Sequence, residues 1–479
     1  MFSEILHFNH MLLRINFFPL VRALFGASWA IGMGTRLTPD KTRISQQIKA
    51  QQSPVFRPCT GSVFGQIGPN SDPRAAPLPK VNSVQTSYDI IIIGGGIMGA
   101  STACFLSQNP DFDGTILVVE RDPTYEFAST SHTNSCMRQQ FSTGLNVRIS
   151  QFAADYVKNL GTYLNDSRIP KLDIQNFGYM YLADSDEMVA TLQTNHAVQQ
   201  AAGAATQLMS RDEIAAAYPF YALDDILLGS INTVDEGFFD GQAVFDWQRR
   251  ISREAGVEYI AAEVTALNKN RAGNRIESVT LSTGQTVSCG QLVNATGPRA
   301  ARTAAMAGIS LPVEPRKRFT WVFRAENPLE QPLPLTIDPS GVHVREVSGG
   351  TYMAGAHTEE DPAVAFDDFA MDHSLWETYV WPMIATRIPQ FEAIKVVSEW
   401  AGHYAYNTLD QNAITGPHPE IGNFLFLNGF SGHGLQQSPA MGRGTAEWLT
   451  YGAYRSLDLS AFHYERVTTN TPILEKAVI

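Results

Sequence analysis

Cysteine is scarce in this sequence. The chain of 479 residues contains four cysteines, Cys59, Cys104, Cys136 and Cys289, and none of them are paired at C-x-x-C spacing. Zinc sites and disulfide frameworks need paired or closely spaced cysteines. The pattern therefore predicts no metal site and fits a reducing compartment.

Long hydrophobic runs are missing as well. The most apolar stretch, residues 11–34, is interrupted by Arg14, Pro19 and Arg22. A helix that spans a bilayer needs about 20 consecutive apolar residues. A secretory signal needs a charged start that leads directly into a clean apolar core. The sequence therefore predicts no transmembrane segment and argues against a secretory signal.

Positive charge is in deficit over the whole chain and concentrated at its beginning. The formal net charge is −12, which argues against nucleic acid as a partner. Residues 1–87 nevertheless carry nine basic against three acidic residues. Such an extension resembles an organelle transit peptide, although a disordered extension or a start codon placed too far upstream would look the same. Its second part, residues 50–87, has the Pro, Ser, Gln and Gly content typical of a linker.

A glycine-rich turn lies between a predicted strand and a predicted helix. The apolar run Asp89–Ile93 predicts a buried parallel strand, and a helix is predicted over Met98–Gln108. The intervening GGGIMG, residues 94–99, fits G-x-G-x-x-G, and the next predicted strand ends at the acid Glu120. Such glycines let a pyrophosphate approach a helix N-terminus while the acid binds ribose. The spacing predicts a dinucleotide site; an ordinary strand–turn–helix is the alternative.

Two later motifs point to the same cofactor. LVNATG, residues 292–297, is an apolar strand that ends in Ala-Thr-Gly and resembles the second fingerprint of two-dinucleotide-fold flavoproteins, which favours FAD over NAD. GFSGHG, residues 429–434, precedes a helix predicted over Gly434–Tyr451. The N-terminus of that helix could stabilise negative charge on a flavin; a plain helix N-cap at Ser431 is the alternative.

In this order, YDIIIIGGGIMGAS, LVVERD, LVNATG and GFSGHG resemble the D-amino-acid oxidase family of flavoproteins. The nearest branch is that of sarcosine and dimethylglycine oxidoreductases. Four segments, residues 128–142, 312–318, 406–419 and 429–439, resemble a mitochondrial member implicated in the assembly of respiratory complex I, which has bacterial relatives. The resemblance covers about residues 88–466.

The resemblance implies an α/β fold. A discontinuous Rossmann-like FAD-binding domain is expected from residues 88–145, 240–310 and 398–466. A mixed-sheet α+β substrate domain is expected from residues 146–239 and 311–397. The basic extension (1–49), the linker (50–87) and a C-terminal tail (467–479) complete the chain.

The resemblance also implies which residues hold the FAD. They lie in the three motifs, in the segment after the ribose acid and on one late strand: Gly94, Gly95, Gly96, Ile97, Met98, Gly99, Glu120, Arg121, His132, Ala295, Thr296, Gly297, His403, Gly429, Gly432, His433, Gly434, Leu435 and Gln436. His132 ends a Ser-Thr-x-His that carries a covalent flavin bond in dimethylglycine and sarcosine dehydrogenases. A loop histidine hydrogen-bonded near the flavin is the alternative.

Three residues are candidate catalytic groups. Arg138 matches a segment that holds arginines beside flavin and substrate carboxylate in sarcosine oxidases, and its planar fork suits a carboxylate; local pairing with Glu120 or Asp122 is the alternative. His357 and Arg345 lie on strands expected to face the flavin, where they could bind substrate or transfer protons, or be structural. The run 316–318 (RKR) reads as a solvated face or as a docking patch for an acidic partner.

The resemblance implies an FAD-dependent dehydrogenase that oxidises a small secondary or N-methylated amine or amino acid by hydride transfer to flavin N5. Met353 and Gln436 stand where monomeric sarcosine oxidase has lysines that activate oxygen and hold the substrate. An electron carrier, a quinone or an electron-transfer flavoprotein, is therefore the expected acceptor. The alternative is an FAD-binding assembly factor or chaperone whose partners are respiratory complex I subunits. The expected location is the mitochondrial matrix in a eukaryote and the cytoplasm in a bacterium.

Overall fold

The computed structural model describes residues 84–476. The predicted extension 1–49, most of the predicted linker and the last three residues of the predicted tail lie outside the described residues. The helices are α1 Ile97–Ser107, α2 Gly144–Lys158, α3 Leu160–Tyr163, α4 Asp186–Ala201, α5 Arg211–Ala217, α6 Gly241–Glu254, α7 Ala300–Ala305, α8 His373–Leu375, α9 Trp381–Arg387, α10 Gly434–Tyr451 and α11 Glu465–Thr468.

The strands form two large sheets and one small ribbon. They are β1 Ser87–Ile93, β2 Ile116–Glu120, β3 Cys136–Met137, β4 Tyr179–Ala183, β5 Gln207–Ser210, β6 Leu228–Asn232, β7 Gly237–Phe238, β8 Glu258–Ala261, β9 Val264–Lys269, β10 Ile276–Leu281, β11 Thr286–Asn294, β12 Val313–Ala325, β13 Leu335–Ile337, β14 His343–Ser348, β15 Thr351–Ala356, β16 Ile394–Asn407, β17 Ile414–Pro417 and β18 Phe424–Asn428.

The first sheet has a parallel centre. Its order is β17-β18-β11-β1-β2-β8, and β9 and β10 extend it from β11. The pairs β18–β11, β11–β1, β1–β2 and β2–β8 are all parallel. Along β1, Ile90 and Ile92 pack into one hydrophobic cluster while Ile91 and Ile93 pack into another. The unbroken apolar run of β1 follows, because a strand covered on both faces has no solvent side.

The second sheet is mixed and has two chemically different faces. Its order is β16-β12-β15-β14-β13-β4-β6-β5. Phe319, Trp321 and Phe323 of β12 belong to the cluster that includes Trp376 and Ile384 on the helical side. The alternate residues of β12 face the first sheet, since side chains alternate along a strand. The predicted α/β class, a Rossmann-like sheet with a second mixed sheet, is confirmed.

One helix was not predicted from the sequence, and one strand crosses a predicted domain boundary. Helix α2, Gly144–Lys158, has no counterpart among the sequence predictions. Residues 373–387 form one helical stretch, in which a π turn at Trp376–Val380 joins α8 to α9. Pro382 sits in the first turn of α9, where the missing proline N–H is tolerated. Strand β16 crosses the predicted domain boundary at residue 398 and stays in the second sheet to Asn407.

Helices α1 and α10 pack closely because Gly442 lacks a side chain. A Cβ at this position would lie 2.6 Å from Ser101 Cβ and 2.8 Å from the Ser101 carbonyl carbon. Such contacts require the α1 backbone to move. These two helices carry the first and third glycine motifs at their N-termini, so their spacing sets the distance between the motifs.

We expect Gly442→Ala to lower the melting temperature by several degrees. Overpacking costs about 1–3 kcal/mol, which outweighs the gain of up to about 1 kcal/mol from replacing a helical glycine. Gly144→Ala in α2 is the matched control, because its Cβ would meet only Arg148 Nη1, at 3.7 Å. Differential scanning fluorimetry checks both variants, and equal melting temperatures would contradict the packing argument.

Candidate functional site

A long cleft separates the two sheets. Its lining includes the carboxyl ends of β1, β2 and β11, the N-termini of α1 and α10, and the inner face of the second sheet. The predicted residues that line it are Gly94, Gly96, Ile97, Met98, Glu120, Arg121, His132, Arg138, Ala295, Thr296, Gly297, His403, Gly432, His433, Gly434, Leu435 and Gln436. The three motifs, far apart in sequence, therefore meet along one cleft.

The first glycine motif is shaped by a very close chain crossing. Gly94 has φ +100°, and a Cβ there would lie 2.4 Å from the Ala295 carbonyl oxygen. A Cβ at Gly99 would lie 2.0 Å from the Gly94 carbonyl oxygen. Gly96 differs, because its φ is −63° and a Cβ would meet only Thr130 Oγ1, at 3.1 Å. Gly94 and Gly99 are needed for the chain to fold into this close crossing. Gly96 instead leaves space in the cleft beside the N-terminus of α1.

The acid at the end of β2 braces the turn. One carboxylate oxygen of Glu120 accepts the Gly95 N–H at 2.8 Å, and the other accepts the Asp122 N–H at 2.8 Å. Burial raises the pKa of Glu120, and these two bonds oppose the shift. The α1 amides, which have no partners within the helix, suit a pyrophosphate. An acid beside them suits a ribose, so the residues present fit an FAD.

The turn before α10 is fastened to the second sheet. Gly432 has φ +94°, and a Cβ there would lie 2.4 Å from the Tyr404 ring of β16. Ser431 Oγ accepts the Asn407 N–H at 3.0 Å. The N-cap of α10 is His433 rather than Ser431. The alternative of a Ser431 cap is therefore wrong, and the helix begins at the cleft with Gly434.

Arg138 is a buried cation on the cleft wall. Its Nη1 donates to the Gln140 carbonyl at 2.7 Å, and its Nη2 donates to His433 Nε2 at 2.8 Å. The guanidinium also lies 4.4 Å from the centroid of the Phe141 ring. Since arginine can only donate, His433 must be neutral with its proton on Nδ1. Burial first, and the Arg138 charge second, lower the pKa of His433 well below its usual value.

The backbone around Arg138 is held from two sides. Gln436 of α10 accepts the Arg138 N–H at 2.7 Å, and Glu236 accepts the Gln139 N–H at 2.6 Å. Glu236 also accepts from the side chain of Gln140 at 3.0 Å. Burial raises the pKa of this fully buried acid to about 8. Glu120, which the sequence offered as a partner for Arg138, accepts from the Gly95 and Asp122 amides.

His132 and His403 both line the cleft but differ in their contacts. His403 Nε2 bonds to the Asp368 carbonyl at 2.8 Å, and its ring stacks on Phe369 with 4.1 Å between centroids. His132 Nδ1 is buried and has no hydrogen-bond partner among residues 84–476. Burial lowers the pKa of both imidazoles, so each is neutral near pH 7. His132 thus offers a buried ring nitrogen that a cofactor could engage.

The structure does not bring Arg345 and His357 into the described lining of the cleft. Arg345 donates to the carbonyls of Glu346 and Asn134 at 2.9 and 3.1 Å. His357 Nδ1 lies 2.7 Å from the Thr358 carbonyl.

Gly95, Gly99 and Gly429 also lie outside the lining. Gly95 instead supports Glu120, and Gly99 allows the turn to close.

His343 lines the cleft, and the sequence did not single it out. Its ring lies over Gly355 on the neighbouring strand, where a Cβ would be 2.3 Å from Nε2. Asn134 Nδ2 lies 3.0 Å from Nε2 and can only donate, so the proton sits on Nδ1. Burial, with Arg318 and Arg345 nearby, lowers the pKa of His343 to about 4. Its position in the sequence was the one clue to this role, since His343 lies two residues before Arg345 on the same face of β14.

The described part of the chain contains neither a membrane-length apolar helix nor a cluster of three or more His, Cys, Asp or Glu side chains arranged for a metal.

Comparisons with known proteins agree on the family. Residues 89–448 match the family model described as FAD dependent oxidoreductase. The chain is similar to FAD-dependent oxidoreductase domain-containing protein 1 of Xenopus laevis, with 36% identity over 82% of this chain and 85% of that protein. It is similar to glycine oxidase of Geobacillus kaustophilus, with 23% identity over 79% and 97%. The solved structure of L-proline dehydrogenase from P. horikoshii has a TM-score of 0.71 at 24% identity, over 81% and 100%.

We expect Gly96→Val to remove FAD without unfolding the protein. Its φ suits any residue, yet a side chain there enters the path of the pyrophosphate. The FAD content should fall below about a tenth of wild type, while the apoprotein melts within a few degrees of wild-type apoprotein. Gly422→Val is the control, since a Cβ there meets nothing within 4 Å. Wild-type protein that stays colourless with FAD supplied would overturn this assignment.

Acid precipitation should release the flavin into the supernatant, because we expect His132 to contact the cofactor without a covalent bond. A yellow pellet would contradict that expectation. In that case His132→Ala should free the flavin and His403→Ala should not, because His403 is already engaged by Asp368 and Phe369.

Proposed function

The chain belongs to the FAD-dependent oxidoreductase family, and on that premise we propose that it is a dehydrogenase acting on the C–N bond of a small secondary or N-methylated amine, with an amino acid as the best candidate. Glycine oxidase and L-proline dehydrogenase, two proteins to which it is similar, are named for small amino acids. FAD, when bound, accepts a hydride from the carbon next to the nitrogen.

The observation that carries the proposal is the buried guanidinium of Arg138 on the cleft wall. Its hydrogen bonds to Gln140 and His433 fix its plane and direction. A planar guanidinium binds a carboxylate through two parallel hydrogen bonds, and its pull is stronger where water is excluded. An amino-acid carboxylate placed on Arg138 would leave its amine deeper in the cleft.

One histidine of the wall is held neutral. His343, with its pKa near 4, stays uncharged at neutral pH, and Tyr179 and Leu335 line the cleft on neighbouring strands. The buried Nδ1–H of His343 can donate to a substrate oxygen. A neutral imidazole adds no negative charge that would favour the ammonium form of the substrate, and only the neutral amine can lose a hydride from its neighbouring carbon.

The electron acceptor we propose is a carrier, a quinone or an electron-transfer flavoprotein. Met353 is buried and lies opposite Arg345 in the β14–β15 ladder. Its thioether supplies no cation where sarcosine oxidase has the lysine that assists oxygen. The Arg345 guanidinium is turned onto two carbonyl oxygens.

The competing function is an FAD-binding assembly factor or chaperone for respiratory complex I. It is favoured by the higher identity to the Xenopus protein, 36% against 23% for the glycine oxidase. Both functions fit the same location, the mitochondrial matrix in a eukaryote and the cytoplasm in a bacterium. Both also need the same cofactor, so only turnover separates them.

Anaerobic mixing with a panel of N-methyl amino acids, proline and glycine should bleach the visible flavin band. Arg138→Met should slow bleaching about 100-fold at low substrate, since removing one well-placed charge typically has that effect. Arg168→Met, at a half-exposed surface ion pair, should not. If dithionite bleaches the wild-type flavin but no amine in the panel does, the dehydrogenase function is excluded and the assembly-factor function stands.

A further inference from the structure

The segment between β15 and α8, residues 357–372, crosses the cleft, and we call it the strap. It contributes the side chains of Phe366 and Phe369 to the cleft lining. Neither phenylalanine belongs to a glycine motif, and among the strap residues only His357 was a candidate from the sequence.

The strap is tied to β12 by ion pairs. Asp361 bonds both terminal nitrogens of Arg318, at 2.6 and 3.0 Å, and lies 3.3 Å from Arg316. Asp368 lies 2.7 Å from Lys317 Nζ. The side chains of Arg318 and Asp361 are 11% and 13% exposed, so water screens this pair less than a surface pair. The basic run 316–318 is therefore neither a free solvated face nor an open docking patch.

Backbone contacts fix the same strand to the strap. The Val364 N–H donates to the Pro315 carbonyl at 2.9 Å, and Arg316 and Ala363 form an antiparallel bridge. Burial is the largest single influence on Asp361 and tends to raise its pKa, but the hydrogen bonds from Arg318 and Arg316 and the charges of Arg318 and His357 together leave the pKa lowered. The carboxylate thus stays charged at neutral pH and the ion pairs persist.

The aromatic side of the strap touches three cleft walls. Phe369 stacks on His403 at 4.1 Å between centroids and lies 5.0 Å from Phe127. The Arg299 guanidinium lies 4.9 Å from the centroid of Phe366. Arg299 directly follows the second motif, and Phe127 follows β2. The strap therefore joins walls that the dinucleotide motifs build.

We propose that the strap is a binding element of the FAD site, in which Phe366 and Phe369 cover the bound cofactor and the ion pairs to residues 316–318 set how slowly it leaves. Aromatic rings cover flat heterocycles favourably. FAD cannot leave along this side until Asp361 and Asp368 separate from β12. Salt weakens exposed charge pairs most, so the Lys317–Asp368 pair, whose carboxylate side chain is 38% exposed, is more sensitive to ionic strength than the nearly buried Arg318–Asp361 pair.

The test measures the FAD dissociation rate from holoprotein by the rise in flavin fluorescence after strong dilution. Asp361→Asn keeps the shape and the tolerance for the positive φ of residue 361 while removing the charge. It should release FAD about 10-fold faster. Asp173→Asn, at the exposed pair with Lys171, is the matched control and should match wild type.

A charge swap separates retention from general damage. Lys317→Asp and Asp368→Lys should each release FAD several-fold faster, and the double variant should return toward the wild-type rate. The melting temperatures of the apoproteins report any damage independent of FAD. If acid precipitation shows a covalent flavin, the rates are measured in a His132→Ala background.

Wild-type release rates in Asp361→Asn and in both single charge variants would overturn the proposal. So would fast release that the double swap fails to restore. The measurement uses no amine, so its failure and that of the proposed dehydrogenase are distinguishable.

Discussion

The close crossing of Gly94 and Ala295 is the constraint on which the site depends. The end of β1 approaches the end of β11 so closely that no Cβ fits, and the next turn of chain brings Gly99 against Gly94. This crossing places the start of α1 beside the Ala-Thr-Gly turn. Gly442 then allows α10 to lie against α1, which brings the third motif to the same cleft. The Gly94–Ala295 crossing and the α1–α10 contact at Gly442 therefore set the frame in which Arg138 and the strap lie.

Electrostatics keep two histidines of the cleft neutral beside arginines. Arg138 keeps its charge, while His433 and His343 are held neutral by burial and by neighbouring arginines. Two neutral imidazoles beside a guanidinium avoid the repulsion that protonation would create. The arrangement favours a ligand with one anionic end, and it disfavours a substrate that carries a second positive charge into the cleft.

Motifs within one stretch of chain were predictable, and contacts between distant strands were not. The helix 434–451 has the bounds predicted from its local pattern. His343 and Gly355 face each other only through the β14–β15 register, which no local pattern contains. Arg345 shares the face of His343 but lies about 6.8 Å farther along the strand, outside the cleft lining. Glu236 and the strap escaped notice for the same reason, because their partners are distant in sequence.

The parallel sheet is assembled from widely separated parts of the chain. β1 and β2 lie between residues 87 and 120, β11 ends at residue 294, and β18 begins at residue 424. During synthesis on the ribosome, the first motif emerges long before the strand and helix that complete the cleft. Contacts of such large sequence separation form slowly and leave apolar strands exposed meanwhile. Insertion of FAD must therefore follow translation of nearly the whole chain.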